Sequence, residues 1–224
     1  MQAVILAAGE GVRLRPYTNL IPKPLMTVKG IPLITSHIDK LNTIGIPNEK
    51  IIIVVSYLKE EIIGFLRRFH KGVKIVEQKE KKGTAAALEY AKDLIDEDFI
   101  VVYGDTFFED DLKDFVKEEN AIAVYEVEDV SRFGKIVEEK GFLKEIKEKS
   151  ETGKGLIFTG LLKTKKDFLN ILNKVKPNEK NNEYYLTDAI LIYNKINPFR
   201  IYRLKGKWFD IGKEESLLEA RKVF

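Results

Sequence analysis

Ala3-Val4-Ile5-Leu6-Ala7-Ala8-Gly9-Glu10-Gly11-Val12-Arg13-Leu14-Arg15-Pro16 is the stretch that decides the fold. Its first six residues form an unbroken apolar run, of the length and character of a strand buried in a parallel sheet. Gly9 and Gly11 follow at once, and such a pair frees the backbone to bend sharply and approach a ligand. Arg13, Arg15 and then Lys23, held between Pro22 and Pro24, place three cations close behind the turn. Guanidinium and ammonium groups gathered on a glycine turn suit a polyanion, most simply a triphosphate. A glycine pair alone would read as a surface turn with solvated basic residues. The two arginines and the Pro-Lys-Pro turn the reading to a phosphate site.

Outward from this loop, helix and strand alternate. Ile34, Ile38, Leu41 and Ile44 share one face of a helix over 32–45, and 51–55 is a β-branched run with the look of a second buried strand. A helix over 59–69, a strand over 73–76, a helix from Thr84 as N-cap to about 95 and a strand over 99–103 continue the series. The pattern is that of a Rossmann-like, doubly wound α/β sheet. Past a helix expected over 111–118 and a strand over 121–127, it changes. A hairpin around Lys140-Gly141 and a strand over 155–162 mix antiparallel pieces into a mostly parallel sheet. A helix over 165–175, two strands around Gly206 and a final helix over 213–224 complete the chain. One domain is expected, with 1–120 mainly for nucleotide and 121–224 mainly for the second substrate.

Composition narrows the function. The 38 basic and 35 acidic residues are too balanced for a nucleic-acid or membrane surface, so neither partner is expected and any anion site must be local. With no cysteine, thiolate chemistry is excluded, and zinc would have only His37, His70 and carboxylates. His37 and His70 read as structural. The N-terminal apolar run is too short for a signal segment, no stretch approaches a membrane span, and a cytoplasmic protein is expected. Asp105 follows a strand and a glycine. Open α/β sheets bind ligands at the carboxyl ends of their strands, so a carboxylate there facing a triphosphate is a natural magnesium ligand. Glu109, Asp110 and Asp111 read instead as the acidic first turn of the 111–118 helix.

Leu6 to Pro16 followed by Pro22-Lys23-Pro24-Leu25 resembles the signature loop of the sugar-phosphate nucleotidylyltransferases, which join a nucleoside triphosphate to a sugar 1-phosphate and release pyrophosphate. The resemblance continues through Gln78 to Thr84, Asp105, Glu148-Lys149, Glu183-Tyr184-Tyr185-Leu186-Thr187-Asp188 and Trp208 to Gly212. It implies that Leu6, Ala8, Gly9, Gly11, Arg13, Gln78, Gly83 and Thr84 bind the nucleotide. It implies that Gly134, Glu148, Lys149, Thr159 and Glu183 bind the sugar phosphate, and that Asp105 and Asp210 hold Mg2+. Arg13, Lys23 and Lys149 would be the catalytic cations, with Arg15 assisting Arg13 or supporting the loop. Three departures stand out. Val12 replaces a hydroxyl residue, Ser150 replaces a proline, and Phe158-Thr159-Gly160 stands where Asn-x-Gly is common, Thr159 being expected to take over a sugar contact. The base strings look most like uridylyl- and thymidylyltransferases, which points to UTP or dTTP with a glucose- or N-acetylglucosamine-type 1-phosphate. Some relatives carry a β-helix of hexapeptide repeats. No internal repeat occurs here and none is expected. Some are dimers or tetramers, so a homo-oligomer is allowed.

Two rival readings share these residues: a regulatory relative that binds nucleotide sugar without turnover, and a glycosyltransferase with a similar nucleotide-binding half. A dinucleotide oxidoreductase is disfavoured because position 14 is leucine, and no Walker-type Gly-Lys-Ser/Thr ending is present.

Overall fold

The computed structural model describes residues 1–147 and 152–223. β1 (Gln2–Ala7) lies inside a nine-stranded sheet and is buried at every position. A small antiparallel ribbon, β2 (Thr27–Val28) and β3 (Ile31–Pro32), leads into α1 (Leu33–Thr43). Then come β4 (Ile51–Val55), α2 (Lys59–Phe69), β5 (Lys74–Glu77), α3 (Thr84–Ala91), β6 (Phe99–Tyr103) and β7 (Thr106–Phe108). The second half contributes β8 (Ala121–Val127), β9 (Lys135–Glu139), β10 (Phe142–Lys147), β11 (Gly155–Thr164), α4 (Leu186–Asn194), β12 (Arg200–Arg203), β13 (Trp208–Asp210) and α5 (Glu214–Lys222).

The sheet order is β5-β4-β1-β6-β11-β8-β12-β10-β9. The first four strands are mutually parallel, as are β8 and β12, while β11 runs antiparallel to both its neighbours and β9–β10 form a hairpin. The expected mixed sheet is therefore present, with its antiparallel part in the second half. Successive side chains of a strand point to opposite faces. Val4 and Leu6 accordingly pack with α3 and α4, whereas Ala3, Ile5 and Ala7 pack with α1 and α2. Helices cover both faces, which is why β1 carries no polar alternation. The chain leaves β1 toward β4 and β5 on one side and returns to β6 on the other. This reversal opens a crevice at the carboxyl ends of β1 and β6.

Several local expectations need correction. Residues 111–118 form only a 3-10 turn, Phe115–Lys117. The acidic residues before it are engaged elsewhere: Asp110 accepts from the backbone N–H groups of Lys205 and Gly206, and Glu109 from that of Lys207. The helix expected over 165–175 is a 3-10 helix, Lys166–Lys174, with Phe168 and Ile171 buried three residues apart. Thr84 is the first residue of α3, not its cap; its hydroxyl accepts instead from Leu186 N–H at 2.9 Å. The two strands expected around Gly206 are present, and each joins a different neighbour: β12 pairs with β8, and β13 with β7. His70 bonds Thr35 Oγ1 at 2.9 Å. His37 is buried, stacked on Phe108 at 5.6 Å. Burial, with Lys40 nearby, pushes its pKa down to about 4. Trp208 is buried, as expected of a lone tryptophan. Among the described residues no helix is long and apolar enough to cross a membrane.

Candidate active site

The chain leaves β1 into Ala8-Gly9-Glu10-Gly11 and turns back across the crevice. Gly11 sits at φ 69°, in the left-handed region. A Cβ there would lie 2.8 Å from Thr18 Cγ2 and 2.9 Å from Lys23 Cγ and Cε. The turn is therefore packed directly on the stem of Lys23, whose side chain is buried. That packing aims its ammonium, which donates to Asp105 Oδ2 at 3.0 Å. Arg15 does not face the crevice. It bonds Glu10 at 2.6 Å, and Glu10 also accepts from Lys81 at 2.9 Å, so these groups tie the loop to the 79–83 segment. Of the two roles expected for Arg15, this one supports the loop. Lys81 and Arg15 together hold the Glu10 carboxyl below its usual range.

Asp105 stands in the tight turn between β6 and β7, closed by the Thr106 hydroxyl donating to Tyr103 O at 3.0 Å. β13 pairs with β7 so that Asp210 lies opposite Thr106, and Ile211 N–H donates to Asp105 O at 2.9 Å. Two acids 105 positions apart in the chain thus become neighbours. Burial pushes the Asp210 carboxyl above the usual carboxylate range, and Asp105 adds to that; Lys23, Arg132 and Arg13 act against it. Arg132 Nη2 lies 3.0 Å from Asp210 Oδ2. A Cβ on Gly212 would meet both Asp210 oxygens, at 2.8 and 3.0 Å, and Arg13 Nη2 at 3.1 Å. The carboxylate and the Arg13 guanidinium therefore share a pocket that only a glycine leaves open. Arg132 was not singled out by the sequence; its partner lies 78 positions away, and only the fold joins them.

A cleft of about 480 Å³ runs from this cluster to the 78–84 loop. Leu6, Ala8, Gly9, Gly11, Lys23, Gln78, Gly83, Thr84, Asp105 and Glu183 line it together, as do Val12, Lys81 and Tyr103. Gly83 has φ 91° and ψ −176°, a conformation essentially reserved for glycine. Tyr184 N–H donates to Lys82 O at 2.7 Å and Ala85 N–H to Tyr184 O at 2.9 Å. These bonds stitch the two halves of the chain together and bring Glu183 over the cleft. Gln78 is buried and donates to Gly83 O at 3.4 Å.

Two expected residues stand apart from the cleft. Thr159 is 2% exposed, and its hydroxyl donates to Ala123 O at 2.8 Å while its carbonyl accepts from Trp208 Nε1 at 3.1 Å. It is a core residue, and its polar groups are spent within the sheet. Phe158, its neighbour, meets Tyr103 edge to face at 5.7 Å, and Gly160 packs on the same ring. Gly134 is packed against Ile146, in the same loop as Arg132, and does not line the cleft. Glu148 and Lys149, with Ser150, lie outside the described residues.

The donor set fits a small hard cation. Asp105 and Asp210 offer carboxylate oxygens near enough for one charge to act on the other, and a nitrogen cation already stands at each. No group of three or more acidic, His or Cys ligands occurs among the described residues. The remaining positions on such an ion would fall to water and substrate oxygens, as is usual for Mg2+.

Comparison with known proteins identifies the family. The sequence profile of the nucleotidyl transferase family matches residues 2–223. The bifunctional protein GlmU of Methanocaldococcus jannaschii is 38% identical over 99% of the chain, which spans 54% of that protein. The chain thus covers about half the length of the first curated relatives it matches. The UTP–glucose-1-phosphate uridylyltransferase AglF of Haloferax volcanii is 38% identical, with 98% of this chain and 95% of that protein aligned. Among solved structures, a Bacillus anthracis protein described as a glucose-1-phosphate thymidylyltransferase superposes with a TM-score of 0.87 at 27% identity, covering 100% of this chain and 94% of that one. A UDP-glucose pyrophosphorylase with UDP-glucose bound gives 0.81 at 27% identity, covering 99% and 97%.

Proposed function

The chain belongs to the nucleotidyl transferase family, and from that premise we propose that it transfers a nucleotidyl group from UTP or dTTP to a glucose- or N-acetylglucosamine-type sugar 1-phosphate, releasing pyrophosphate. The observation that carries this reading is the Lys23–Asp105 pair in a cleft that the Gln78–Gly83 loop also lines, with Asp210 close enough to feel both charges. The names of the uridylyltransferase and thymidylyltransferase relatives support the choice of pyrimidine nucleotide.

The chemistry brings two anions together, so the protein's task is alignment and charge neutralisation. An oxygen of the sugar phosphate attacks the α-phosphorus as the bond from that phosphorus to the departing pyrophosphate oxygen breaks. No covalent enzyme intermediate forms. A phosphate monoester is already ionised near neutral pH, so no general base is needed. Lys23, fixed by its packing under Gly11, neutralises the α-phosphoryl oxygens. Arg13, beside Gly212, steadies the charge that develops on pyrophosphate. Lys149 holds the attacking phosphate, as the family resemblance implies. Asp105 and Asp210 would hold Mg2+, which when bound supplies further neutralisation of the α-phosphate and aligns the incoming group. Gln78 and Gly83 take the base, and Glu183 the sugar. The halves 1–120 and 121–224 thus divide the two substrates.

A screen of four nucleoside triphosphates against several sugar 1-phosphates tests the proposal through pyrophosphate release. Release that needs both a divalent cation and a sugar 1-phosphate is expected. Release of nucleoside diphosphate from a nucleotide sugar, or binding without turnover across the panel, would overturn it.

A further inference from the structure

Each acid of the crevice is matched to a cation, but the two cations are held differently. Lys23 is buried, and its stem is wedged under the Gly11 turn. Arg132 is 35% exposed, on the loop before β9, and reaches Asp210, itself 19% exposed, from the solvent side. Its guanidinium lies over the Phe133 ring at 5.4 Å, and Phe133 meets Trp208 edge-on at 5.8 Å. Trp208 opens β13, the strand that ends in Asp210. The guanidinium is thus held by a ring face and a single carboxylate oxygen, at a position still partly open to solvent.

Resting on the metal reading above, we propose that Arg132 is a placeholder for the divalent cation at Asp210 and turns onto a phosphate oxygen of the bound substrates once that cation is in place. The exchange is chemically even. A guanidinium grips carboxylate and phosphate oxygens with the same two-pronged geometry, so it can pass from one to the other. A half-buried acid next to a second acid is costly to leave unpaired, and the arginine relieves that cost in the empty crevice. The ion pair blocks one Asp210 oxygen, so it competes directly with metal.

A purely structural ion pair predicts the opposite effect of its removal. Losing it would loosen β13 and weaken metal binding, whereas losing a competitor strengthens it. The test titrates Mn2+ into the chain without substrates and reads free Mn2+ by electron paramagnetic resonance, with melting temperature measured in parallel. Arg132→Met is expected to bind Mn2+ roughly two- to five-fold more tightly than wild type, the range for a partly exposed ion pair. It should also raise KM for at least one of the two phosphate substrates under saturating Mn2+. Arg132→Gln gives the same comparison should Arg132→Met not fold. Asp210→Asn is expected to lose most of the affinity. Unchanged or weaker Mn2+ binding in the Arg132 variants, with Asp210→Asn still defective, would overturn the placeholder and leave the metal reading standing. Wild-type Mn2+ binding in Asp210→Asn would overturn both.

Discussion

Gly83→Ala tests whether the join between the two halves of the chain shapes the nucleotide site. At φ 91° and ψ −176° an alanine is held in a region that costs about 1–3 kcal/mol for any residue with a Cβ. The new methyl would lie 2.5 Å from Tyr184 O, 2.9 Å from Tyr184 N and 3.1 Å from Glu183 Cβ, all on the opposing segment. Two of those three atoms are backbone and cannot swing aside. Relief requires Tyr184 O to retreat, which breaks its bond from Ala85 N–H, at about 1 kcal/mol for one hydrogen bond. The sum is about 3 kcal/mol, or a fall of roughly 6–12 °C in Tm for a domain of this size. Gly83 O and Glu183 would move with the segment, so KM for the triphosphate should rise roughly tenfold while kcat falls less. Differential scanning fluorimetry and initial rates of pyrophosphate release read the two effects. Gly64→Ala is the control: it lies in the exposed interior of α2 with nothing within 4 Å of its Cβ, and should stabilise slightly. An unchanged Tm in Gly83→Ala would refute the strain argument. A lowered Tm with an unchanged KM would refute the claim that this loop shapes the nucleotide site.

Further expectations follow from single contacts. Lys23→Ala and Asp105→Asn should each lower kcat by about 10²-fold or more, as expected when a preorganised charge is removed, and full rates in both would show that the roles are misassigned. Thr159→Val should lower stability by about 1–2 kcal/mol through the lost bond to Ala123 O and leave KM for the sugar phosphate unchanged; a several-fold KM shift without loss of stability would return Thr159 to the sugar site. His37 has a folded pKa depressed to about 4 from 6.5, so its neutral form stabilises the fold above pH 6.5 and that stability is lost as pH falls toward 4. The loss amounts to roughly 3 kcal/mol, and His37→Phe should remove it from a denaturation series across that window; an identical acid profile in both proteins would count against it.

The elements that the sequence made legible are those specified locally. Five consecutive β-branched residues in β4 and the one-sided apolar rows of α1 and α2 need no partner to be recognised. The helix at 111–118 failed because Glu109 and Asp110 serve the β12–β13 connection nearly a hundred positions away, which outweighs their preference for a helix start. Thr159 is placed away from the cleft for a related reason: its hydroxyl found a carbonyl inside the sheet. Lys23 and Asp105 were legible because each is announced by its own neighbours, two prolines in one case and a strand with a glycine in the other. Arg132 has no such announcement. Its meaning is made by the β13–β7 pairing, which brings Asp210 into a turn formed by another part of the chain.

That difference bears on how the crevice works. A triphosphate and a sugar phosphate need several positive charges, yet an empty site cannot keep such charges close together and unpaired without loss of stability. The fold meets both demands by interleaving acids with cations: Asp105 takes Lys23, and Asp210 takes Arg132 with Arg13 nearby. Both acids are then paired before substrate arrives. Under the proposed function, substrate binding would be an exchange of partners, with phosphates replacing carboxylates on the cations. The acids are thereby released toward a metal just when phosphate oxygens are available to complete its shell. On this account the carboxylates matter in the empty protein as well as in the reaction. Replacing both by asparagine would leave three cations crowded without counter-charge. Such a double variant should melt below either single one at low salt and recover toward them when inorganic phosphate is added.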